Sequence, residues 1–196
     1  NFLDYQNKGL DIFKDDKKVR VICGYSVPLE ISDNFKYDYY YAKHNIAWGF
    51  GIWKNKEISV QDSEIDDEIS NIEKYLLNPF KAYNLIFMPY SMLTDLIHTV
   101  KTKIFNGDQY ISFKNLMEDK YCVYPKLSLV RNHGHDGSGI HCGKINQNPF
   151  VKQIIDTRTE FKFELHNDYE NRQIKRAIKK YIIQFQYYSF RSKISL

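Results

Sequence analysis

The sequence predicts an α/β or α+β domain, because segments with helical and with strand patterns alternate along its 196 residues. Short apolar runs that end at glycine or proline indicate buried strands. Longer stretches with apolar residues three or four positions apart indicate amphipathic helices. The chain is long enough to form one domain with its own hydrophobic core.

The first half of the chain predicts a helix, a strand and an acidic helix. Residues 1–15 carry apolar side chains near helical spacing, and residues 18–24, which include Lys18 and Arg20, look like a buried strand that ends at Gly24. We interpret the tyrosine-rich stretch Tyr25–Lys43 as a long surface loop because it contains Pro28 and several Asp and Asn residues. An acidic amphipathic helix is expected from about Ser63 to Tyr75.

The second half predicts two more helices, two strands and a basic helix. In chain order these are helices at 90–100 and 108–117, a strand at 121–124, an alternating strand at 161–165 and a helix at 174–190. We find neither an internal repeat nor a low-complexity segment.

Composition excludes several classes of protein. Hydrophobic residues make up 43% of the chain and charged residues 27%, as in ordinary folded domains. No apolar stretch approaches the length of a membrane span, and residues 1–9 lack the blocks of a signal peptide. The cysteines, Cys23, Cys122 and Cys142, are widely spaced, which excludes a CxxC zinc or redox site and favours reduced thiols in the cytosol.

Charge and aromatic content are unevenly distributed. Seven of the 28 basic residues lie in 171–196, which has no Asp or Glu, so residues 1–170 carry 21 basic and 24 acidic residues. A basic tail on a mildly acidic body indicates an interaction tail rather than a nucleic-acid-binding face. The 16 Tyr, 13 Phe and 2 Trp residues exceed what a core needs, and they suggest a flat surface for sugars, bases or a partner.

The glycine-rich loop Asn132–Gly143 has the highest density of chemically active residues. It contains four glycines, three of the six histidines, Asp136 and Ser138. Such a loop lets the backbone approach a ligand closely and can bind an anion through its N–H groups. There are two alternatives. The loop could hold a zinc ion through its histidines and Cys142, or it could be an ordinary tight surface loop. The absence of Gly-Lys-Ser/Thr excludes a P-loop.

Several stretches resemble bacterial family 2 glycosyltransferases. The segment from Pro125 to Cys142 is similar to the family pattern Pro-x-x-Ser-Leu-Val-x-Asn-Ile-Gly-x-Asp-Gly-Ser-Gly-x-His-Cys. In the same order as in the family, similar stretches occur at Asn1–Tyr25, Trp48–Lys54, Tyr90–Asp95 and Asn106–Tyr110. The resemblance covers about residues 1–143.

The resemblance implies the α/β GT-A fold, a mixed sheet with flanking helices that binds a nucleotide-sugar donor. In this family an acidic motif that holds Mn²⁺ or Mg²⁺ lies a few residues before the segment that matches Asn1–Asn7. We therefore expect this chain to be the C-terminal, acceptor-side portion of a longer enzyme, inactive alone. Residues 1–150 would form the glycosyltransferase part, and residues 151–196 a C-terminal extension with the basic helix.

By the same resemblance, Asp108 corresponds to the family's general base. Gly107 departs from the family pattern, which has tryptophan there. The alternative is that Asp108 only stabilises the N-terminus of a helix. Asp95 is the second candidate base, with a solvated helix carboxylate as its alternative.

The glycine-rich loop would complete the site. His141 corresponds to a histidine that reaches the metal or the diphosphate, for which a neutral imidazole is a suitable ligand; a loop-stabilising hydrogen bond is the alternative. Asp136, Gly137, Ser138 and Gly139 would shape the same site.

The tryptophan-glycine stretch supplies the candidate sugar platform. Trp48, next to Gly49, could stack on a sugar face, whereas core packing is the more common role of a tryptophan. We assign Trp53 to the core.

Three functions are compatible with the sequence. The first is transfer of a sugar from a nucleotide-sugar donor to a glycan or lipid-linked acceptor, with inversion, in surface polysaccharide biosynthesis. The second is a non-catalytic carbohydrate- or partner-binding module derived from the same fold. The third, a nucleic-acid binder, is disfavoured by the charge distribution.

The partner predictions follow from the basic tail and from the missing half of the sheet. We expect a cytoplasmic protein whose basic C-terminal helix contacts the inner membrane surface. The alternative is a helix that packs on the domain with a solvated basic face. A half sheet with an open edge also predicts a homodimer.

Overall fold

The centre of the protein is a mixed four-stranded sheet with helices on both faces. A computed structural model describes residues 1–86, 88, 92–133 and 153–194, with the side chains of 185–194 excepted. The strands are β1 (Val19–Cys23), β2 (Tyr39–Ala42), β3 (Phe50–Ile52) and β4 (Tyr121–Pro125), in the spatial order β2-β4-β1-β3. Only β1 and β4 are parallel. The α/β class and the mixed sheet are therefore confirmed.

Strand β2 corrects the interpretation of Tyr25–Lys43 as a surface loop. Tyr39–Ala42 pairs antiparallel with β4, and all four of its residues are buried. Tyr25, Val27 and Phe35, which precede the strand, are buried as well. The polar residues that suggested a loop lie at the turns, whereas the tyrosines point into the protein.

Six helices flank the sheet in the described part of the chain. They are α1 (Phe2–Ile12), α2 (Ile65–Leu76), α3 (Pro79–Ile86), α4 (Met92–Thr102), α5 (Gly107–Glu118) and α6 (Arg172–Ile194). All except α3 were predicted, with ends that differ by a few residues. Helix α3 begins at a proline directly after α2, and Asn78 accepts hydrogen bonds from the backbone of Phe80 and Lys81.

One face of the sheet is covered by α6. Val21 and Cys23 of β1, Tyr40 of β2 and Tyr124 of β4 point to this side. They pack against three side chains of α6, namely Ile174, Tyr181 and Ile182. The apolar face of the basic helix is thus used for packing inside the domain.

The other face is covered by α1 and the segment 161–169. Tyr39 and Tyr41 of β2 lie here with Phe13 of α1 and Phe161. The hydroxyls of Tyr39 and Tyr41 donate to the backbone carbonyls of Glu164 and His166 at 2.8 and 2.9 Å. Much of the aromatic surplus is therefore core.

The strand predicted at Phe161–Leu165 is absent from the structure, where these residues are irregular. The carbonyl of Glu164 accepts a hydrogen bond from the side-chain hydroxyl of Tyr39 in β2 and not from a neighbouring strand. The alternation of apolar residues reflects packing on the sheet.

Helices α2, α3, α4 and α5 form a second apolar cluster beside the sheet. Their buried side chains are Ile72, Tyr75, Leu85, Met92, Leu96, Tyr110 and Phe113. Within the described ranges, none of the helices has both the length and the apolar character needed to cross a bilayer.

Candidate functional site

Helix α5 docks on the segment that leads to Trp48 through three polar side chains. Asp108, Ser112 and Asn115 are spaced four and three residues apart, so they share one face of the helix. We call them the α5 polar row. Ser112 Oγ accepts from the N–H of Asn45 at 2.7 Å, and Asn115 Nδ2 donates to the carbonyl of Lys43 at 3.0 Å.

Asp108 is the end of the α5 polar row nearest Trp48. Its carboxylate accepts a hydrogen bond from the backbone N–H of Gln109 at 2.9 Å. Partial burial raises the pKa of Asp108, and the backbone N–H groups of Gln109, Asp108 itself and Ala47, which favour the charged carboxylate, oppose this rise. A carboxylate with a raised pKa is a better proton acceptor at neutral pH, so the environment suits a general base.

Asp95, the second candidate base, lies within electrostatic range of Asp108. Burial raises the pKa of Asp95, and the negative charge of Asp108 raises it further. Asp95 belongs to the first turn of α4, whereas Asp108 belongs to the first turn of α5. The structure thus brings the two predicted carboxylates to one region, beside the start of the Trp48 segment.

Trp48 is half-buried and packs edge-on against Tyr25, with ring centroids 4.6 Å apart. Gly49 follows with φ +68°, a conformation that favours glycine. A Cβ at Gly49 would lie 3.0 Å from Val130 and 3.1 Å from Phe2. The glycine therefore permits a close approach of the protein's own side chains, and core packing explains part of this stretch.

Trp53 lies against the α1 face of the sheet. Its Nε1 donates to the carbonyl of Leu10 at 3.1 Å. The ammonium of Lys56 lies 4.0 Å from the centre of its ring and donates to the carbonyls of Phe13, Asp16 and Val19. Trp53 and Lys56 therefore fix the end of α1, a structural role.

Most of the predicted ligand loop lies outside the described residues. These are Asp136, Gly137, Ser138, Gly139 and His141, the metal candidate. Across the described ranges 1–86, 92–133 and 153–194, no three His, Cys, Asp or Glu side chains cluster as a metal site. The described residues therefore supply no ligand set for Mn²⁺ or Mg²⁺. That His141 binds such a metal stays a prediction from the sequence.

The sequence indicated Asp108 but not the two residues, Ser112 and Asn115, that anchor the same helix face. Ser112 and Asn115 are buried, and Asn115 also accepts from Arg20 Nη1 at 2.8 Å. The signal available in the sequence was one polar residue a single turn after Asp108 and another two turns after it, on the same helix face. The α5 polar row faces backbone groups of Lys43, Asn45 and Ala47. A pattern of side chains in the sequence does not reveal contacts with backbone groups.

Comparisons with known proteins add no relative to this geometry. No family model matches the chain, and no curated protein or solved structure is significantly similar to it.

Proposed function

We propose that this chain is the acceptor-side part of a GT-A glycosyltransferase and that Asp108 is its general base. The residue resemblance supplies the reaction, in which a sugar passes from a nucleotide-sugar donor to an acceptor hydroxyl. The observation that carries the proposal is that the backbone N–H of Ala47 lies close enough to the Asp108 carboxylate to stabilise its charge. Because Ala47 precedes Trp48 in the chain, the candidate base is a neighbour of the candidate sugar platform.

The proposed chemistry is an inverting displacement. Asp108 takes the proton of the acceptor hydroxyl while the oxygen of that hydroxyl forms a bond to the anomeric carbon. The bond from that carbon to the nucleoside diphosphate breaks, and the diphosphate leaves with the electron pair. Burial raises the pKa of Asp108, and the nearby backbone N–H groups limit that rise, so the carboxylate would be both charged and basic enough to take the proton.

The remaining partners follow from the resemblance. The donor is a nucleotide sugar, the acceptor is a glycan or a lipid-linked glycan, and the process is surface polysaccharide assembly on the cytoplasmic side. A divalent metal, Mn²⁺ or Mg²⁺, would supply charge for the leaving diphosphate. Its other ligands would come from the acidic motif that the resemblance implies. Self-association through an open sheet edge is a further proposal.

The experiment measures nucleoside diphosphate release by the gene product that carries this sequence. Purified protein is supplied with a panel of nucleotide sugars, Mn²⁺ or Mg²⁺ and glycan acceptors. We expect release that requires both donor and acceptor. In Trp48→Leu we expect a higher KM for the acceptor and an unchanged KM for the donor, because the aromatic sugar platform is lost while an apolar side chain remains against Tyr25.

A matched control is available at the other tryptophan. In Trp53→Leu the α1 end is weakened, so we expect lower stability and an unchanged acceptor KM. Glycan binding without diphosphate release for any donor would contradict the proposal and favour the non-catalytic binding module.

A further inference from the structure

Helix α3 and Leu77, two residues before it, present bulky apolar side chains to solvent. Leu77 is 84% exposed, Phe80 is 85% exposed and Tyr83 is 57% exposed. Leu85 points the opposite way and is buried in the helical cluster. Large side chains with this exposure are unfavourable in water, so this face is suited to contact with an apolar phase.

Helix α6 presents a basic surface outside the domain. Arg172, Lys175, Arg176, Lys179 and Lys180 are exposed, within nine consecutive residues. Among the described residues, Glu170 forms an ion pair with Lys175, and Glu30 forms one with Lys180. Residues 172–180 themselves contain five basic and no acidic side chains, so this stretch of α6 is strongly basic. Ile183 is exposed on the same side of the helix, one turn after Lys179.

The apolar and basic surfaces are neighbours. Asn84 of α3 lines a groove of about 370 Å³ together with Lys175 and Lys179 of α6. Phe80 lies four residues before Asn84 and so shares its side of α3. Lys43 and Glu170 also line the groove, and Lys43 forms ion pairs with Glu170 and Asp119. The exposed apolar residues of α3 therefore lie near lysines of the basic helix α6.

We infer that α3 and α6 together form a docking surface for an anionic phospholipid bilayer. Phe80 and Leu77 would enter the interface between headgroups and acyl chains, while Arg172, Arg176 and their neighbours bind lipid phosphates. The apolar face of α6 is buried against the sheet, so α6 supplies charge and α3 supplies the apolar contact. This surface is independent of the glycosyl-transfer proposal.

The test is co-sedimentation of the 196-residue chain with lipid vesicles at about 0.1 M salt. Vesicles of phosphatidylcholine alone are compared with vesicles that contain about 30% phosphatidylglycerol. We expect binding to the anionic vesicles that weakens as salt is raised, and little binding to the neutral ones. Leu77→Gln/Phe80→Gln and Arg172→Glu/Arg176→Glu should each lower the affinity by about tenfold or more.

Two double variants are matched controls. Ile154→Gln/Leu165→Gln removes two other exposed apolar side chains, and Lys54→Glu/Lys101→Glu reverses two other exposed charges. Both controls should bind as the wild type does. All altered side chains are exposed, and circular dichroism checks that every variant is folded.

Three results would overturn the inference. The first is that the wild type does not bind the anionic vesicles. The second is that a control pair weakens binding as much as the corresponding test pair. The third is that the glutamine pair Leu77→Gln/Phe80→Gln binds normally, because the contact would then be charge attraction without α3. None of these readouts depends on enzyme activity, so they leave the glycosyl-transfer proposal unaffected.

Discussion

The backbone N–H of Ala47, the residue that precedes Trp48, faces the carboxylate of Asp108 and stabilises its charged form. The first turn of α5 therefore lies beside the start of the tryptophan-glycine stretch. Ser112 and Asn115 extend the same contact along the helix to Asn45 and Lys43. The position of the candidate base relative to the candidate platform is thus set by the whole α5 polar row.

Ser112→Ala tests whether the α5 polar row supports the site. The change removes the acceptor of the Asn45 N–H and leaves that buried donor unpaired. We expect a loss of about 1–3 kcal/mol in the free energy of unfolding, measured by urea denaturation. Ser63→Ala, at an exposed position, should change it by less than about 0.5 kcal/mol. Equal effects of the two changes would contradict the role of Ser112.

Gly49→Ala tests the packing around the tryptophan-glycine stretch. The new Cβ would be strained at φ +68° and would crowd Val130 and Phe2. We expect a loss of about 1–2 kcal/mol in the free energy of unfolding. Gly107→Ala is the matched control, because nothing lies within 4 Å of its added Cβ. That change should be neutral or stabilise by up to about 1 kcal/mol, and a stable Gly49→Ala variant would refute the close approach.

His44 makes stability depend on pH. It is buried beside Tyr124, and burial lowers the pKa of His44 from 6.5 to about 3. Between these two values the unfolded chain binds a proton that the folded protein does not, so stability falls as pH falls below about 6.5. From pH 7.5 to pH 5, His44 alone should remove about 2 kcal/mol from the free energy of unfolding.

His44→Phe should abolish this part of the pH dependence. Denaturation curves at the two pH values provide the measurement, and the slope of the variant is compared with that of the wild type. Exposed His98→Phe should keep the wild-type pH dependence. If His44→Phe also loses the full 2 kcal/mol on acidification, the buried neutral state of His44 is wrong.

The strongly patterned parts of the fold could be predicted from the sequence. Strands β1 and β4 are buried on both faces, so apart from Arg20 in β1 they appear as apolar runs that end at Gly24 and Pro125. Helices α2, α4 and α5 each bury one stripe, which gives them helical periodicity.

The missed elements depend on distant contacts. Tyr39 and Tyr41 resemble loop residues until 161–169 covers them and accepts their hydroxyl hydrogen bonds. Helix α3 escaped detection because its exposed side carries Phe80 where an amphipathic helix would have a polar residue.

In the candidate site, too, features that can be read along the chain were predicted and contacts between distant elements were not. The resemblance located Asp108, because its residue type and its neighbours can be read along the chain. The contact with Ala47 could not be predicted, since it joins a side chain to a backbone group of another element. Asp95 was only a second choice, and its electrostatic relation to Asp108 depends on how α4 and α5 pack.

The most direct test of the glycosyl-transfer proposal is turnover and donor affinity in Asp108→Asn, measured in the gene product that carries this sequence. Asparagine keeps the shape of the side chain and can accept from the Gln109 N–H, but it cannot take the acceptor's proton. We predict that kcat falls by about 10²–10⁴-fold while the donor dissociation constant from calorimetry stays within about threefold. Asp95→Asn should retain most of the turnover. Normal turnover in Asp108→Asn would contradict its role as the general base.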